Sequence, residues 1–180
     1  MSELYITSDI HFSHARILDY CASSRPFSYL DEMNDAIIEN WNNKVQKDSI
    51  VYILGDLSFA KPSHTIELLD RLNGTLRLIV GNHDNDKYLR SEEFCNRFEW
   101  MKMYHEEKIM DIPIVMFHFP ILEWHHRHYG TIHFHGHQHK KNPEKLSCRR
   151  YDVGIDGSPD FAPYHMHTLI QDIINRTTGV

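Results

Sequence analysis

Apolar and polar residues in the first half of the chain follow the periods of strands and helices in turn. Short apolar runs at 4–6, 49–54 and 76–80 are typical of buried strands, and each is followed by polar residues. Between them, the segments 30–45 and 62–73 carry apolar residues at helical spacing. The order strand, helix, strand, helix, strand predicts a mainly parallel sheet with helices packed on it.

The second half of the chain has shorter strand-like runs. The segment 101–109 alternates loosely between apolar and polar residues, and 162–174 has the apolar spacing of a closing helix. Further short strands are predicted at 112–117, 131–134 and 151–155. We therefore expect a second sheet with hairpin-like connections. The predicted fold class is α/β, in one domain spanning 1–180: a four-layer α/β/β/α sandwich of two facing mixed sheets flanked by helices.

The composition of the chain mainly excludes some classes of protein. The chain has 180 residues, 41% hydrophobic and 24% charged, which suits one globular domain. A formal charge of −6 argues against long nucleic acid as a partner. No stretch approaches the roughly 20 apolar residues of a membrane span, and no signal peptide is visible. Cys21, Cys95 and Cys148 form neither a CxxC pair nor a disulfide framework, which favours a reduced, cytoplasmic setting.

Five polar clusters stand directly after apolar, strand-like runs. The carboxyl ends of strands in α/β folds meet in one crevice, so we expect these clusters to meet in space and form a site there. The chain holds 15 histidines, and histidine is the commonest metal ligand. The five clusters are Asp9-x-His11, Gly55-Asp56, Gly81-Asn82-His83-Asp84, His118 and Gly136-His137-x-His139.

The chemistry of the clusters points to metal ions. Oxygen ligands together with imidazoles suit zinc, manganese or iron, whereas calcium prefers oxygen alone. Seven candidate ligands exceed the four of a closed tetrahedral site, and two metals that share one bridging carboxylate would use them. The seven are Asp9, His11, Asp56, Asn82, His118, His137 and His139.

Each cluster taken alone also has an ordinary explanation. Asp9 and Asp56 could cap helices or lie in turns, and the run 82–84 could be a simple turn. His118 could be a histidine of the core, and the pair at 137 and 139 could lie on the surface of a strand. Five such coincidences in this order are a poorer explanation than one shared site.

Taken in order from Asp9 to His139, the five clusters resemble those of the calcineurin-like metallophosphoesterase superfamily. The resemblance implies that Asp9, His11, Asp56 and His139 bind one metal. It implies that Asp56, Asn82, His118 and His137 bind a second, with Asp56 as the bridge. His83 corresponds to the catalytic histidine of the family, and Asp84 to its acidic neighbour.

One run departs from the pattern of many members, above all the protein phosphatases. Those proteins follow Gly-Asp with a further Asp-Arg, whereas here the run is Gly55-Asp56-Leu57-Ser58-Phe59. The chain is therefore more similar to the small bacterial and phage-type members of the superfamily.

The expected activity is hydrolysis of a phosphodiester, small or nucleotide-like, by direct attack of a hydroxide that bridges the metals. His83 would protonate the leaving oxygen, Asp84 would fix the tautomer of His83, and Asn82 could also donate to a phosphate oxygen. His14 is a further candidate for contact with the substrate, although a solvated helix start is an alternative explanation. The expected cofactors are two divalent ions, manganese first, with zinc, iron(II) or nickel as alternatives.

Other functions stay open on the sequence alone. A phosphomonoesterase needs the same metal ligands and is the nearest alternative. A scaffold that binds metal without turnover and a nuclease of the same superfamily are the others. The HxHxDH string of metallo-β-lactamase-type hydrolases and the HExxH string of metalloproteases do not occur. Both a monomer and a homodimer are compatible with the sequence.

Overall fold

A computed structural model describes residues 2–84, 86–139 and 149–178, so Cys148 lies outside the described residues. The strands are β1 (Leu4–Thr7), β2 (Ile50–Ile53), β3 (Thr75–Ile79), β4 (Phe98–Lys102), β5 (Tyr104–Ile109), β6 (Ile112–Phe117), β7 (Ile132–His135), β8 (Arg150–Asp152) and β9 (Tyr164–His165). The α-helices are α1 (Ile17–Tyr20), α2 (Leu30–Lys44), α3 (Pro62–Leu69), α4 (Asp86–Leu89), α5 (Glu92–Cys95) and α6 (Met166–Thr178). Within the described segments, no helix has both the length and the apolar character needed to cross a membrane.

Two mixed sheets form the centre of the fold, as the sequence predicts. The first has the order β4-β3-β2-β1-β9, and all neighbours are parallel except β9, which runs antiparallel to β1. The second has the order β5-β6-β7-β8, with an antiparallel β5–β6 pair and parallel pairs beyond it. Parallel pairing places the carboxyl ends of β1, β2 and β3 at one edge of the first sheet, and those of β6 and β7 at one edge of the second.

The alternation of side chains along β2 explains the layering. Val51 and Ile53 belong to the core that the first sheet shares with α2, α3 and α5. Tyr52 and Leu54 belong instead to the core that the first sheet shares with β6 and β7. Successive residues of a strand face opposite sides, so a strand covered on both faces needs a continuous apolar run.

The remaining layers close both cores. Helix α6 contributes Met166 and Ile170 to the core between the sheets. The segment 118–131, which includes a short 3-10 helix at Arg127–Tyr129, covers the outer side of the second sheet. There the Trp124 and His133 rings have centroids 5.4 Å apart, and the Trp124 Nε1–H donates to the Thr131 carbonyl over 3.0 Å.

The segment 101–109, predicted as one alternating run, belongs to two strands in different sheets. Strand β4 pairs with β3, and β5 pairs with β6. The change of sheet occurs at Met103, which is 61% exposed, and this change breaks the alternation. The prediction of hairpin-like connections is correct for β5–β6 and wrong for the parallel pairs of β7.

Two predicted helices have different ends in the structure. The closing helix begins at Met166 instead of residue 162, because Tyr164 and His165 pair with β1 as strand β9. Helix α3 ends at Leu69 instead of residue 73. Asn73 lies outside the helix, and its side-chain amide donates to the Val45 carbonyl over 3.1 Å.

Candidate metal centre

The seven predicted ligands lie at or just beyond the carboxyl ends of strands from both sheets. Asp9 and His11 follow β1, Asp56 follows β2 and Asn82 follows β3, while His118 follows β6 and the last two histidines follow β7. Six of the seven predicted ligands fall into two groups, each with all its ligand atoms within 4.8 Å of one another. The first group is Asp9, His11 and His139, and the second group is Asp56, His118 and His137.

Two ligand atoms of the first group are buried and have no hydrogen-bond partner. Asp9 Oδ1 lies 3.9 Å from His11 Nε2 and 3.8 Å from His139 Nε2. Asp9 Oδ1 and His11 Nε2 are both buried without a hydrogen-bond partner. Leaving buried polar atoms unpaired is costly. These separations are too long for hydrogen bonds and suit ligands placed around one cation.

The second group lies nearer the surface. Asp56 and His118 are buried, whereas Asn82 and His137 are exposed. Asp56 Oδ2 lies 3.5 Å from His118 Nε2, and the His118 and His137 ring centroids are 5.2 Å apart. Asn82 Oδ1 lies 2.8 Å from His118 Nε2, so Asn82 adds a fourth possible ligand.

The hydrogen bonds of His118 favour a cation at the second group. Its Nδ1 lies 2.7 Å from the Leu54 carbonyl, which can only accept, so Nδ1 carries the proton. Burial lowers the pKa of His118 even though Asp56 opposes the shift, and the neutral ring therefore has a lone pair at Nε2. That lone pair faces the Asn82 Oδ1 lone pairs at 2.8 Å. Two acceptors this close repel each other unless a cation lies between them.

Asp56 stands between the two groups. Its Oδ2 lies 3.7 Å from His11 Nε2 and 3.5 Å from His118 Nε2. Its Oδ1 accepts the His83 backbone N–H over 2.9 Å, which fixes the orientation of the carboxylate. One side chain therefore borders both groups of ligand atoms.

Most of these ligands sit on strained backbone. Positive φ angles between 52° and 70° occur at five of the seven predicted ligands: Asp9, His11, Asp56, His137 and His139. Residues other than glycine occupy this left-handed region rarely, at a cost of about 1–3 kcal/mol each. Such a concentration of strain is typical of functional sites, where the surrounding structure holds a side chain in a required direction.

Two glycines allow strands to approach the ligands closely. A Cβ atom at Gly81 would lie 2.4 Å from Asp56 Oδ1, and one at Gly136 would lie 2.2 Å from Asp9 Oδ2. Both distances are shorter than any real contact. The clusters therefore need glycine at these positions for a steric reason.

Burial dominates the electrostatics of the first group. It raises the pKa of Asp9 to about 7, with His139 opposing the rise and Asp152 and Asp56 adding to it. Burial also lowers the pKa of His11 to about 2. For His139 burial lowers the pKa, but the hydrogen bond to Asp156 and the charge of Asp9 outweigh it, so the pKa is raised overall. Without a cation, this site disfavours the charged form of its own carboxylate.

A buried ion pair behind the first group was not found from the sequence. Arg25, which is 1% exposed, donates from Nε and Nη2 to the two Asp156 oxygens over 2.9 and 2.8 Å. It also donates to the carbonyls of Asp9 and Ile10 over 2.7 and 2.8 Å. Asp156 Oδ2 in turn accepts from His139 Nδ1 over 2.8 Å, which leaves the His139 Nε2 lone pair for a metal. Asp156 follows β8, so the strand-end rule could have indicated it, whereas no pattern marks Arg25.

Asp84 makes contacts other than the expected one. Its Oδ2 accepts the backbone N–H groups of Asp56 and Gly81 over 3.0 and 2.8 Å, and its Oδ1 accepts that of Leu57 over 2.9 Å. Asp84 therefore joins the turns after β2 and β3, and it does not fix the tautomer of His83. The His83 imidazole is exposed at the rim of the centre.

His14 lies next to the first group. Its ring centroid is 5.2 Å from that of His11. The ring also stacks on Phe59, with centroids 3.7 Å apart and planes 7° apart. Phe59, which no sequence pattern marks as a site residue, therefore lies beside the centre.

Comparison with known proteins identifies the fold. No protein-family model matches the chain. Over 86 residues the chain is 50% identical to the uncharacterized protein MJ1445 of Methanocaldococcus jannaschii, covering 47% of this chain and about half, 48%, of that relative. The gene 66 protein of Mycobacterium phage D29 is 27% identical over 200 residues, covering 96% of this chain and 98% of the phage protein.

Among solved structures, the Aquifex aeolicus protein of unknown function AQ665 superposes with a TM-score of 0.71 at 20% identity, covering 95% of this chain and 99% of the other. The chain has the fold of that protein. An archaeal phosphodiesterase superposes with a TM-score of 0.48 at 18% identity, over 85% of this chain and 82% of the other. The two mixed sheets of the α/β fold class predicted from the sequence are confirmed.

Proposed function

We propose that this chain is a metal-dependent phosphoesterase of the calcineurin-like metallophosphoesterase superfamily, with two divalent ions in one centre. The observation that carries the proposal is the position of Asp56. Its Oδ2 lies 3.7 Å from His11 Nε2 and 3.5 Å from His118 Nε2, as a carboxylate shared by two ions would. Paired ions about 3.5–4 Å apart are the arrangement that two-metal phosphoester hydrolysis uses.

The residues around the centre have separate tasks in this reaction. When bound, the ions would polarise the phosphate oxygens and lower the pKa of a water molecule. One P–O bond forms from water, the ester P–O bond breaks, and the departing alkoxide takes up a proton. We assign that proton to His83, whose exposed ring lies beside the rings of His11 and Phe59. Asn82, also exposed, would contact a phosphate oxygen.

A phosphodiester, small or nucleotide-like, is the substrate class that we propose. Asn82, His83 and His137 are exposed, so the second group opens to the surface and leaves room for a substituent on each side of the phosphate. A phosphomonoester would use the same ligands and is the nearest alternative.

Manganese is the ion that we propose first, because the site mixes carboxylate and amide oxygens with imidazoles. Zinc, iron(II) and nickel share that preference to different degrees. A cytoplasmic location is proposed as well, and the free thiols of Cys21 and Cys95 are compatible with it.

The proposed function is tested by hydrolysis assays on metal-stripped protein. Manganese, nickel, zinc or magnesium is added back, and turnover of bis-p-nitrophenyl phosphate and p-nitrophenyl phosphate is measured. Turnover should depend on the metal and be lost in Asp56→Asn, which keeps the size of the side chain and removes its charge. A higher rate on the first ester indicates a diesterase, and a higher rate on the second a monoesterase.

The variant His83→Ala separates proton transfer from metal binding. Turnover should fall by about 10²–10⁴-fold, while the metal content measured by mass spectrometry stays at the wild-type value. Two bound ions per chain without turnover on either ester would contradict the proposed enzyme and favour a metal-binding scaffold.

A further inference from the structure

A cavity of about 800 Å³ adjoins the metal centre. It is formed by the segment 58–63 together with Asn82, His83 and Tyr88, and we call it the Phe59 cavity. Asn82 and His83 also border the centre, so a molecule whose phosphate is held there can extend into the cavity. Pockets for small organic ligands measure roughly 300–1,000 Å³, so the volume suits a group as large as a nucleoside.

Phe59 gives the cavity a fixed aromatic wall. The residue is 40% exposed, although its ring is stacked on His14 with centroids 3.7 Å apart. The His83 ring, tilted by 45°, lies 4.9 Å away on the side of the centre. The stacking on His14 holds the ring in one orientation and leaves part of it uncovered in the cavity. A fixed, partly uncovered ring of this kind is suited to stacking with a planar ligand.

The charge of the lining favours an anionic ligand. Lys61 contributes the one lysine or arginine side chain among the lining residues, and none of those residues is acidic. Lys61 is exposed, and no ion pair of Lys61 occurs within the described part of the chain. A planar ligand that also carries negative charge would therefore match both the ring of Phe59 and the ammonium group of Lys61.

We propose that the Phe59 cavity binds the nucleoside portion of a nucleotide ester, with the base stacked on Phe59. This inference rests on the proposed function, because the phosphate at the centre brings the nucleoside to the cavity. His83 lies between the metal centre and the Phe59 cavity. Because His83 is the proposed donor of a proton to the departing oxygen, the nucleoside in the cavity would be the leaving alcohol. Sugar phosphates lack an aromatic ring that could stack on Phe59, and neutral aromatic compounds carry no charge that could pair with Lys61.

Calorimetric titration of manganese-loaded protein tests the inference. The two ligands are adenosine 5′-monophosphate and ribose 5-phosphate, which share the phosphate and sugar and differ in the base. The nucleotide should bind at least about tenfold more tightly, because stacking a base on an aromatic side chain contributes about that much. Turnover of bis-p-nitrophenyl phosphate is measured on the same preparation.

Four variants test which residues cause the preference for adenosine 5′-monophosphate over ribose 5-phosphate. Phe59→Leu should make the two affinities equal, whereas Phe59→Tyr keeps a ring and should keep the preference. Tyr29→Leu removes an aromatic side chain that is 74% exposed and does not line the cavity, and it should keep the preference as well. Lys61→Gln should weaken adenosine 3′,5′-bisphosphate about threefold more than the monophosphate, as expected for an exposed charge pair.

The outcomes distinguish this inference from the proposed function. Equal affinities in the wild type, or a preference that survives in Phe59→Leu, would overturn the inference even if the diester is hydrolysed. A preference that is lost only in Phe59→Leu, in protein that hydrolyses no ester, would support the nucleotide site and overturn the proposed enzyme.

Discussion

Asp156 connects the predicted metal ligand His139 to the buried Arg25. Its Oδ2 accepts from His139 Nδ1 over 2.8 Å, and the guanidinium group holds both carboxylate oxygens. A carboxylate at the far nitrogen of a histidine ligand fixes the orientation of the ring and makes the coordinating nitrogen more basic. Asp156 therefore acts on the first group through its hydrogen bond to His139.

The variant Asp156→Asn should weaken metal binding at the first group by about 10–100-fold, while the second group retains its affinity. The measurement is a competition titration with a chelator, in which one tight ion per chain should remain. The variant also leaves Arg25 without its buried partner, so the melting temperature should fall.

The matched control is Asp160→Asn, because the Asp160 side chain is 46% exposed and pairs with Lys44 at the surface. It should change neither the metal affinity nor the melting temperature appreciably. Equal loss of affinity at both groups in Asp156→Asn would contradict the specific role of this carboxylate.

The protonation of Asp9 makes metal binding depend on pH. Burial raises the pKa of Asp9 to about 7 in the metal-free protein, so below this pH the side chain is mainly protonated and must release a proton to bind. This proton should lower the metal affinity at the first group by up to about tenfold per pH unit below about 7. His11, with its pKa lowered to about 2, stays neutral and adds nothing to this dependence.

Chelator-competition titrations at pH values of about 5.5, 6.5 and 7.5 measure this dependence. The Asp9→Asn variant has no titrating carboxylate at this position, so its remaining metal affinity should vary less steeply with pH. An affinity that is constant across this range in the wild type would contradict the raised pKa of Asp9.

The turns at the ends of β2 and β3 form one interlocked element. Asp84 accepts backbone N–H groups of Asp56 and Gly81, and Gly81 lies against the Asp56 side chain where a Cβ atom would not fit. The position of the Asp56 carboxylate is therefore determined by the turn after the neighbouring strand.

Substitution Gly81→Ala should disturb this element. The new Cβ atom would lie 2.4 Å from Asp56 Oδ1 and 2.5 Å from Asp56 N, so the backbone must shift, at a cost of about 1–3 kcal/mol in the free energy of unfolding. Urea denaturation measures that loss, and metal titration should show weaker binding at both groups. A variant with wild-type stability and two tight ions would show that the turn can adapt.

The elements that deliver the ligands could be predicted because each is an apolar run that ends abruptly in polar residues. The run before Asp9 and that before Asp56 correspond to β1 and β2. Strand β9 could not be predicted, because two residues carry no period and their pairing with Tyr5 and Ile6 depends on a distant part of the chain. Arg25 was missed for a similar reason, since its partner Asp156 is 131 residues away.

At the scale of the whole molecule, the centre joins the two sheets. Asp9 and Asp56 extend from the first sheet, and His118 and His137 from the second. An ion held between such residues crosslinks the sheets, and it binds the folded chain in preference to the unfolded one. Bound metal should therefore stabilise the fold as a whole.

Removal of metal should lower the melting temperature. At a free-ion concentration about 100 times the dissociation constant, one bound ion contributes about 2.7 kcal/mol, which corresponds to about 5–10 °C for a chain of this size. Scanning calorimetry with manganese and with a chelator measures the difference. Asp56→Asn should show a smaller difference, and an identical melting temperature in both conditions would contradict a crosslinking role.

The left-handed backbone at five ligand positions sets the direction in which the chain would change if its metal were no longer needed. Glycine adopts a positive φ without strain, so replacing Asp9 or His137 by glycine would relax the backbone as it removed a ligand. Selection for a stable fold and selection for a bound ion thus oppose each other at these positions. A descendant that no longer binds metal is expected to accumulate glycine at these positions and to keep the same architecture.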